Sequence, residues 1–340
     1  MGQDSKIEWT HATFNPWRGC TKVSDGCKNC YAETLSARNP KVLGMWGPKG
    51  ARVIASEKYW QEPLKWNREA EQSGERRRVF CASLADVFEG PDTMPQESRQ
   101  PVSLARLRLF RLIMETPHLD WLLLTKRPEN VMLLLAQAMN QAWGIPQKES
   151  PFACWLEAWV MGKPPKNVWL GTSTEDQKTY DQRVLYLRAC PAIVRFLSVE
   201  PFIGPIDPTP PEYRGTNTNL DDWLQDLGLI IVGGESGSEA RPMHPNWVRT
   251  LRDRCVNRTD MGRPWPLPFF FKQWGEWGYN CFLPQVTAKQ HADGKTFDFE
   301  GMDRGTLGVL EMVKVGKKSA GRMLDGRFWD ELPQLGERVK

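Results

Sequence analysis

VWLGTSTEDQKTYDQRVLYLRACPAIVRFLSVE (Val168–Glu200) is the stretch that decides the fold. An apolar run at Val168–Leu170 gives way to a polar turn, Thr172–Glu175. A helical stretch follows over Asp176–Ala189, with Thr172-Ser173-Thr174-Glu175 as its N-cap region, and a second apolar run begins at Ile193. Strand, helix, strand in one direction is the signature of parallel pairing through a helical crossover. The pattern recurs outward from this unit. Strands are predicted near Lys6–Thr10, Val79–Ala82, Trp121–Leu124, Val168–Leu170, Ile193–Leu197, Leu229–Val232 and Phe269–Phe271. Amphipathic stretches lie between them at Cys30–Arg38, Val102–Glu115, Glu129–Trp143, Asp176–Ala189 and Asn246–Cys255. In Val102–Glu115 the stripe is Leu104, Leu107, Leu109, Ile113 and Met114. Seven strands over this span fit an α/β protein with a complete or partial TIM-like (βα) barrel; a doubly wound open sheet is the alternative.

Residues 1–278 read as the barrel and 279–340 as a C-terminal appendage. Two insertions interrupt the rhythm and read as excursions over the barrel mouth. Gly44–Arg78 ends in Arg76-Arg77-Arg78, and Pro205–Asp226 is rich in Pro, Thr and Asn. The chain has 340 residues, 40% hydrophobic and 25% charged, which are globular proportions. Its longest aliphatic runs fall far short of the roughly 18 residues a membrane helix needs. The opening MGQDSKIEW has no apolar signal core, and Lys6 breaks the myristoylation pattern. A cytoplasmic protein with no membrane partner is expected. The net charge of +4 permits an anionic partner without demanding one. Sixteen Trp against six Tyr point to a large core for most of the indoles, with a stacking surface as the other use.

Of eight Cys, five are scattered, and Cys81 and Cys190 read as small buried hydrophobes. The other three cluster in GCTKVSDGCKNCY as Cys20-x6-Cys27-x2-Cys30. Three thiols so close in a reducing compartment read as metal ligands. Structural zinc needs a fourth ligand, for which His11 is the near candidate. A [4Fe–4S] cluster with one iron open needs only these three. A disulfide plus one free thiol is the third possibility. Gly19 and Gly26 let the loop wrap closely, and Lys22 and Lys28 either offset thiolate charge or are solvated.

In a (βα) barrel the reactive groups lie at the C-terminal ends of the strands. Those ends carry Asp86; Lys126 and Arg127 after Thr125; Ser173 and Glu175 after Thr172; Glu200; Gly233, Gly234, Glu235 and Ser236; and Lys272, Gln273 and Trp274. The paired glycines admit close backbone approach of a ligand, and Glu235 could grip an ammonium or a ribose hydroxyl. Lys126, Arg127 and Lys272 suit a carboxylate or phosphate, or pair with Glu175, Glu200 or Glu235.

IEWTHATFNPWRGCTKVSDGCKNCYAE (Ile7–Glu33) resembles the opening of a phage- and prophage-associated three-Cys-motif family related to radical S-adenosylmethionine proteins. The resemblance continues through Leu84–Phe88, Leu123–Asn130, Asn167–Gln177, Arg195–Ile206, Ile230–Asp253, Pro268–Trp277 and Gly316–Pro333, nearly the whole chain. It implies a TIM-like barrel whose first loop holds [4Fe–4S] on Cys20, Cys27 and Cys30. The open iron would chelate S-adenosylmethionine, and one electron from a reductase would cleave it to a radical that abstracts hydrogen. It also implies a neighbouring phage gene product as partner. Three departures stand out. The first cysteine gap is six where the usual radical enzymes have three, Asn29 stands where an aromatic is common, and Gly-Gly-Glu follows the sixth strand rather than the second.

Within that resemblance the substrate reads as nucleic acid or a nucleotide, in a repair or base-modifying reaction similar to that of spore photoproduct lyase. Lys314, Lys317, Lys318, Arg322 and Arg327 lie beside Phe328 and Trp329, and Arg249, Arg252, Arg254 and Arg258 add charge. Basic residues among aromatics suit phosphate contact with base stacking. Two other function classes compete. One is a metal-stabilised binding module without radical chemistry. The other is a divalent-metal nuclease using Asp86, Glu175, Glu200 and Glu235.

Overall fold

The computed structural model describes residues 5, 7–144, 150–215, 223–260, 263–264, 266–279, 296–298 and 311–334. Cys281, His291 and Lys6 lie outside the described residues. Seven parallel strands form a curled half-barrel sheet: β1 (Ala12–Thr13), β2 (Arg77–Cys81), β3 (Leu119–Thr125), β4 (Val168–Ser173), β5 (Val194–Val199), β6 (Leu229–Gly233) and β7 (Phe269–Gln273). Their order in the sheet is their order in the chain. A doubly wound sheet reverses strand order at a switch point, so that alternative is excluded. Register runs Ala12 to Val79, Val79 to Trp121 and Trp121 to Val168, and Ile231 pairs with Phe270. The strands are almost continuously apolar and buried, as sheets covered on both faces require.

The first strand is shorter and later than expected. Ile7–Trp9 forms a turn closed by the Thr10 N–H on the Ile7 carbonyl at 3.0 Å, and only Ala12–Thr13 pairs. Trp9 is still buried, 4.8 Å from the Phe80 ring. Seven helices matter here: α1 (Tyr31–Ser36), α2 (Glu62–Ser73), α3 (Gln96–Glu115), α4 (Val131–Trp143), α5 (Ser150–Val160), α6 (Gln177–Ala189) and α7 (Pro245–Val256). Helix α3 buries Val102, Ala105, Leu109, Phe110, Leu112 and Ile113, whereas Leu104, placed in the stripe by sequence, is 56% exposed. Helix α6 is capped at Asp176. Asp176 Oδ1 accepts the Thr179 N–H while Thr179 Oγ1 accepts the Asp176 N–H, a reciprocal capping box.

Much of the first insertion is regular structure. Val53–Ile54 pairs antiparallel with Trp17–Arg18. Helix α2 buries Pro63, Trp66 and Ala70 and stops at Gly74, whose φ of 70° suits glycine. The basic run then opens β2 at its N-terminal end. Arg76 pairs with Asp120 at 2.7 Å and Arg77 with Glu69 at 2.6 Å, while Arg78 Nε donates to the Trp9 carbonyl.

Contacts divide the chain into two compact units, residues 1–173 with 182–196, and residues 174–181 with 197–340. In the second unit, Trp277–Tyr279, Glu311–Lys314 and Thr296–Asp298 make a small antiparallel sheet, and the Phe271 N–H donates to the Trp329 carbonyl. Among the described residues no helix is long and apolar enough to cross a membrane.

Two outcomes follow from packing and capping. A Cβ at Gly171 would meet the Phe196 ring at 2.4 Å. Gly171→Ala should therefore lower unfolding free energy by about 1–3 kcal/mol, read as a lower denaturant midpoint at unchanged slope. His244 caps α7, its Nδ1 accepting the Asn246 N–H at 3.0 Å, and burial together with Arg249 holds its pKa below the ordinary value. Its contribution is present at neutral pH. It is lost as pH falls from about 6.5 through the depressed folded value, because the unfolded chain protonates first. His244→Asn, which retains a cap, should flatten that part of the stability–pH curve.

Candidate functional site

In the first unit, the loop between β1 and α1 carries the three cysteines, and a buried charge cluster underlies part of it. The loop leaves the sheet through Gly19, whose N–H donates to the Leu84 carbonyl and whose φ of 104° brings it against the Met45 carbonyl. Arg52 and Glu89 form a bidentate pair at 2.6 and 2.9 Å with neither side chain exposed. Arg52 also donates to Thr21 Oγ1 at 2.8 Å and to the carbonyls of Met45 and Gly47. Asp86 accepts from Thr125 Oγ1 at 2.7 Å, from the Lys126 and Phe88 N–H groups at 3.0 Å, and from Arg127 Nη1 at 2.9 Å. Arg106 donates to the carbonyls of Val87 and Glu89, and burial lowers its pKa to about 10, which leaves it charged at neutral pH.

Arg127 links this cluster to the thiols. Its Nη1 lies 3.8 Å from Cys20 Sγ and its Nη2 donates to the Thr21 carbonyl. Burial pushes the Cys20 thiol up to about 12, against the pull of Arg127. Cys30 sits at the N-cap of α1. Burial raises its thiol, the Glu33 and Ala32 N–H groups oppose that rise, and Cys27 adds to it. Ser24 Oγ lies 3.9 Å from Cys27 Sγ. Lys22 pairs with Glu33 at 2.6 Å. All described cysteines are free thiols, so no disulfide forms among them.

The donor set suits a thiolate-held cluster in its chemistry. Three soft donors share one loop, a guanidinium faces one of them, and the buried Arg127 Nε–H has no protein acceptor. Among the described residues no three His, Cys, Asp or Glu side chains converge on one metal position. His11, the candidate fourth zinc ligand, accepts the Arg78 N–H on Nδ1 at 2.8 Å and has Arg78 Nη2 at 3.4 Å from Nε2.

Ser173, also in the first unit, is buried, and its carbonyl accepts from Arg183. Lys126 is half-buried at the end of β3, where its charge acts on Cys30.

In the second unit the other strand-end residues pack against one another. Lys272 Nζ lies 3.1 Å from Glu200 Oε1, and Ser198 donates to Glu200 Oε2. A Cβ at Gly233 would fall 2.2 Å from Glu200 Oε1, and one at Gly234 would fall 1.9 Å from the Trp274 carbonyl oxygen. Both glycines thus make room for protein atoms. Glu235 is buried and holds Arg241 through three contacts of 2.6–2.9 Å. Gln273 donates to Ser236 Oγ, Trp274 Nε1 donates to the Met323 carbonyl, and Glu175 is fully buried.

Lys317 and Lys318 are exposed on a short helix. Arg322 pairs with Asp330 and lies over Phe270 and Phe328. Arg327 pairs with Glu331 and lies 3.5 Å from the Trp329 ring centroid. Arg249 and Arg252 share Asp325.

Sequence reasoning missed Arg52, Glu89 and Arg106. Glu89 follows the LADVF motif directly, but nothing local marks an arginine for full burial.

The family model described as "Protein of unknown function (DUF5131)" matches residues 4–333. No curated protein matches the chain. Two solved structures are similar at 11% identity: a spore photoproduct lyase mutant with dinucleoside spore photoproduct, TM-score 0.35, and a second spore photoproduct lyase mutant, TM-score 0.36. Each match covers 88% of this chain, which spans 66% of the length of those lyases.

Removing one partner of a buried ion pair strands the other charge. Arg52→Ala should cost about 3–5 kcal/mol in denaturant unfolding, and Arg52→Met with Glu89→Leu should recover only part of that loss, because the Met45, Gly47 and Thr21 acceptors stay unpaired.

Proposed function

The chain belongs to the DUF5131 family, and we propose that Cys20, Cys27 and Cys30 hold a [4Fe–4S] cluster with one iron open to S-adenosylmethionine, serving radical chemistry on a nucleic acid or nucleotide. The observation that carries this reading is three free thiols on one loop, with a buried guanidinium against the first of them. When bound, the cluster supplies the electron that cleaves S-adenosylmethionine to a hydrogen-abstracting radical. The chain's own residues do the remaining work. Arg52 holds the Thr21 hydroxyl and Arg127 its carbonyl, and Asp86 and Glu89 fix the arginines. Lys126 adds positive charge near Cys30. A reductase supplies the electron, and a neighbouring phage gene product is a fitting partner.

The two alternatives are supported less. Zinc needs a fourth ligand, and both nitrogens of His11 face Arg78. A Mg²⁺ site needs carboxylate oxygens, and Asp86, Glu200 and Glu235 each carry a cationic partner.

The test is anaerobic reconstitution with iron, sulfide and zinc analysis, then dithionite reduction read by EPR. The expected result is about four iron per chain, lost in Cys27→Ala, with a signal perturbed by S-adenosylmethionine. Zinc without iron after reconstitution would overturn the reading.

A further inference from the structure

We propose that Arg127 is a positioning residue for Cys20 and that its charge raises the reduction potential of the cluster; the inference rests on the cluster reading above. Arg127 is 3% exposed on its side chain, so its cation is not a surface group waiting for a phosphate. Its place is over-determined. The backbone N–H donates to Thr125 Oγ1 at 2.9 Å, and that hydroxyl donates to Asp86. Nη1 is held by Asp86, and Nη2 lies 3.7 Å from Glu89. Swinging the guanidinium away would break a buried ion pair, so it stays where it grips two consecutive residues, Cys20 by its sulfur and Thr21 by its carbonyl.

The charge balance points the same way. Arg52, Arg106 and Arg127 face Asp86 and Glu89, leaving one net positive charge beneath the first cysteine. A fixed cation and an N–H directed at a ligand sulfur favour the more reduced, more negative state of a cluster. The unpartnered Nε–H is a further buried donor on the same guanidinium.

Arg127→Gln alone would strand the Asp86 carboxylate and could simply unfold the chain. The decisive comparison is therefore Asp86→Asn against the double variant Asp86→Asn with Arg127→Gln, which differ only in the guanidinium. In cluster-free protein, amide hydrogen exchange at residues 19–22 should be at least tenfold faster in the double variant, with β3 and β4 unchanged. In reconstituted protein, a redox titration followed by EPR should place the double variant at a more negative potential than Asp86→Asn at equal iron content. Unchanged exchange would overturn the positioning role, and an unchanged potential would overturn the tuning role. If the wild-type chain takes up no iron, the cluster reading fails and the tuning role falls with it. The exchange measurement then still decides whether Arg127 positions Cys20.

Discussion

The buried pairing of two arginines with two carboxylates, Arg52 with Glu89 and Arg127 with Asp86, is the constraint on which the cysteine loop depends. Such pairs are poor sources of stability, because desolvating the charges offsets most of their attraction. Their value here is local. The segments around Thr21 and Met45–Gly50 run in irregular backbone, so their carbonyls lack a ladder of partners, and a buried carbonyl without a partner is costly. Arg52 serves the Met45 and Gly47 carbonyls, and Arg127 serves that of Thr21. The carboxylates hold the forks in register. A lysine could neutralise the same charge, but it could not span two carbonyls and a carboxylate in one plane.

The second unit solves a similar problem with glycine and backbone. Gly234 leaves room for the Trp274 carbonyl, and Gly275, at φ +83°, leaves room for that of Glu235. Two strand ends thereby cross at a distance no Cβ tolerates, with Gly234 N–H bonded to the Gln273 carbonyl and Glu276 N–H to that of Glu235. Glu235 is then free to turn inward to Arg241. The Gly-Gly pair thus lets Glu200 and the Trp274 carbonyl approach the strand end closely.

The parallel sheet was legible because its strands are long apolar runs separated by helices, a pattern carried by local sequence. Residues Val168–Glu200 contain a complete crossover, and the structure reproduces its strand, capping turn and helix. The first strand was misplaced because Trp9, an apolar residue in β-favouring company, is buried from a turn rather than a ladder. Helix α2 was missed because its buried face is only Pro63, Trp66 and Ala70, too sparse a stripe to stand out from its charged neighbours. The basic run Arg76–Arg78 reads from sequence as the end of an insertion; in the structure Arg76 and Arg78 find partners distant in sequence, at Asp120 and Trp9, and Arg77 finds Glu69 on the preceding helix. Long-range pairing of this kind has no local signature. The same reason hid Arg52 and Glu89, and it kept Arg127 in the reading as a ligand-binding cation.

The distribution of partners separates the thiols from Asp86, Glu89, Glu200 and Glu235. Asp86 and Glu89 are committed to arginines, Glu235 to Arg241 and Glu200 to Lys272. A hard cation would have to compete with those ion pairs for each oxygen. The sulfurs meet weak donors: a guanidinium at 3.8 Å from Cys20, a serine hydroxyl at 3.9 Å from Cys27 and helix N–H groups at Cys30. These contacts stabilise thiolate charge and leave the sulfur lone pairs available. Burial raises the thiols of Cys20 and Cys30, so as free thiols they hold their protons at neutral pH, and a metal must displace them. A soft, strongly bonding iron–sulfur centre can supply that driving force. In the first unit, Asp86 and Glu89 thus hold Arg127 and Arg52, and those two arginines hold the cysteine loop at Thr21.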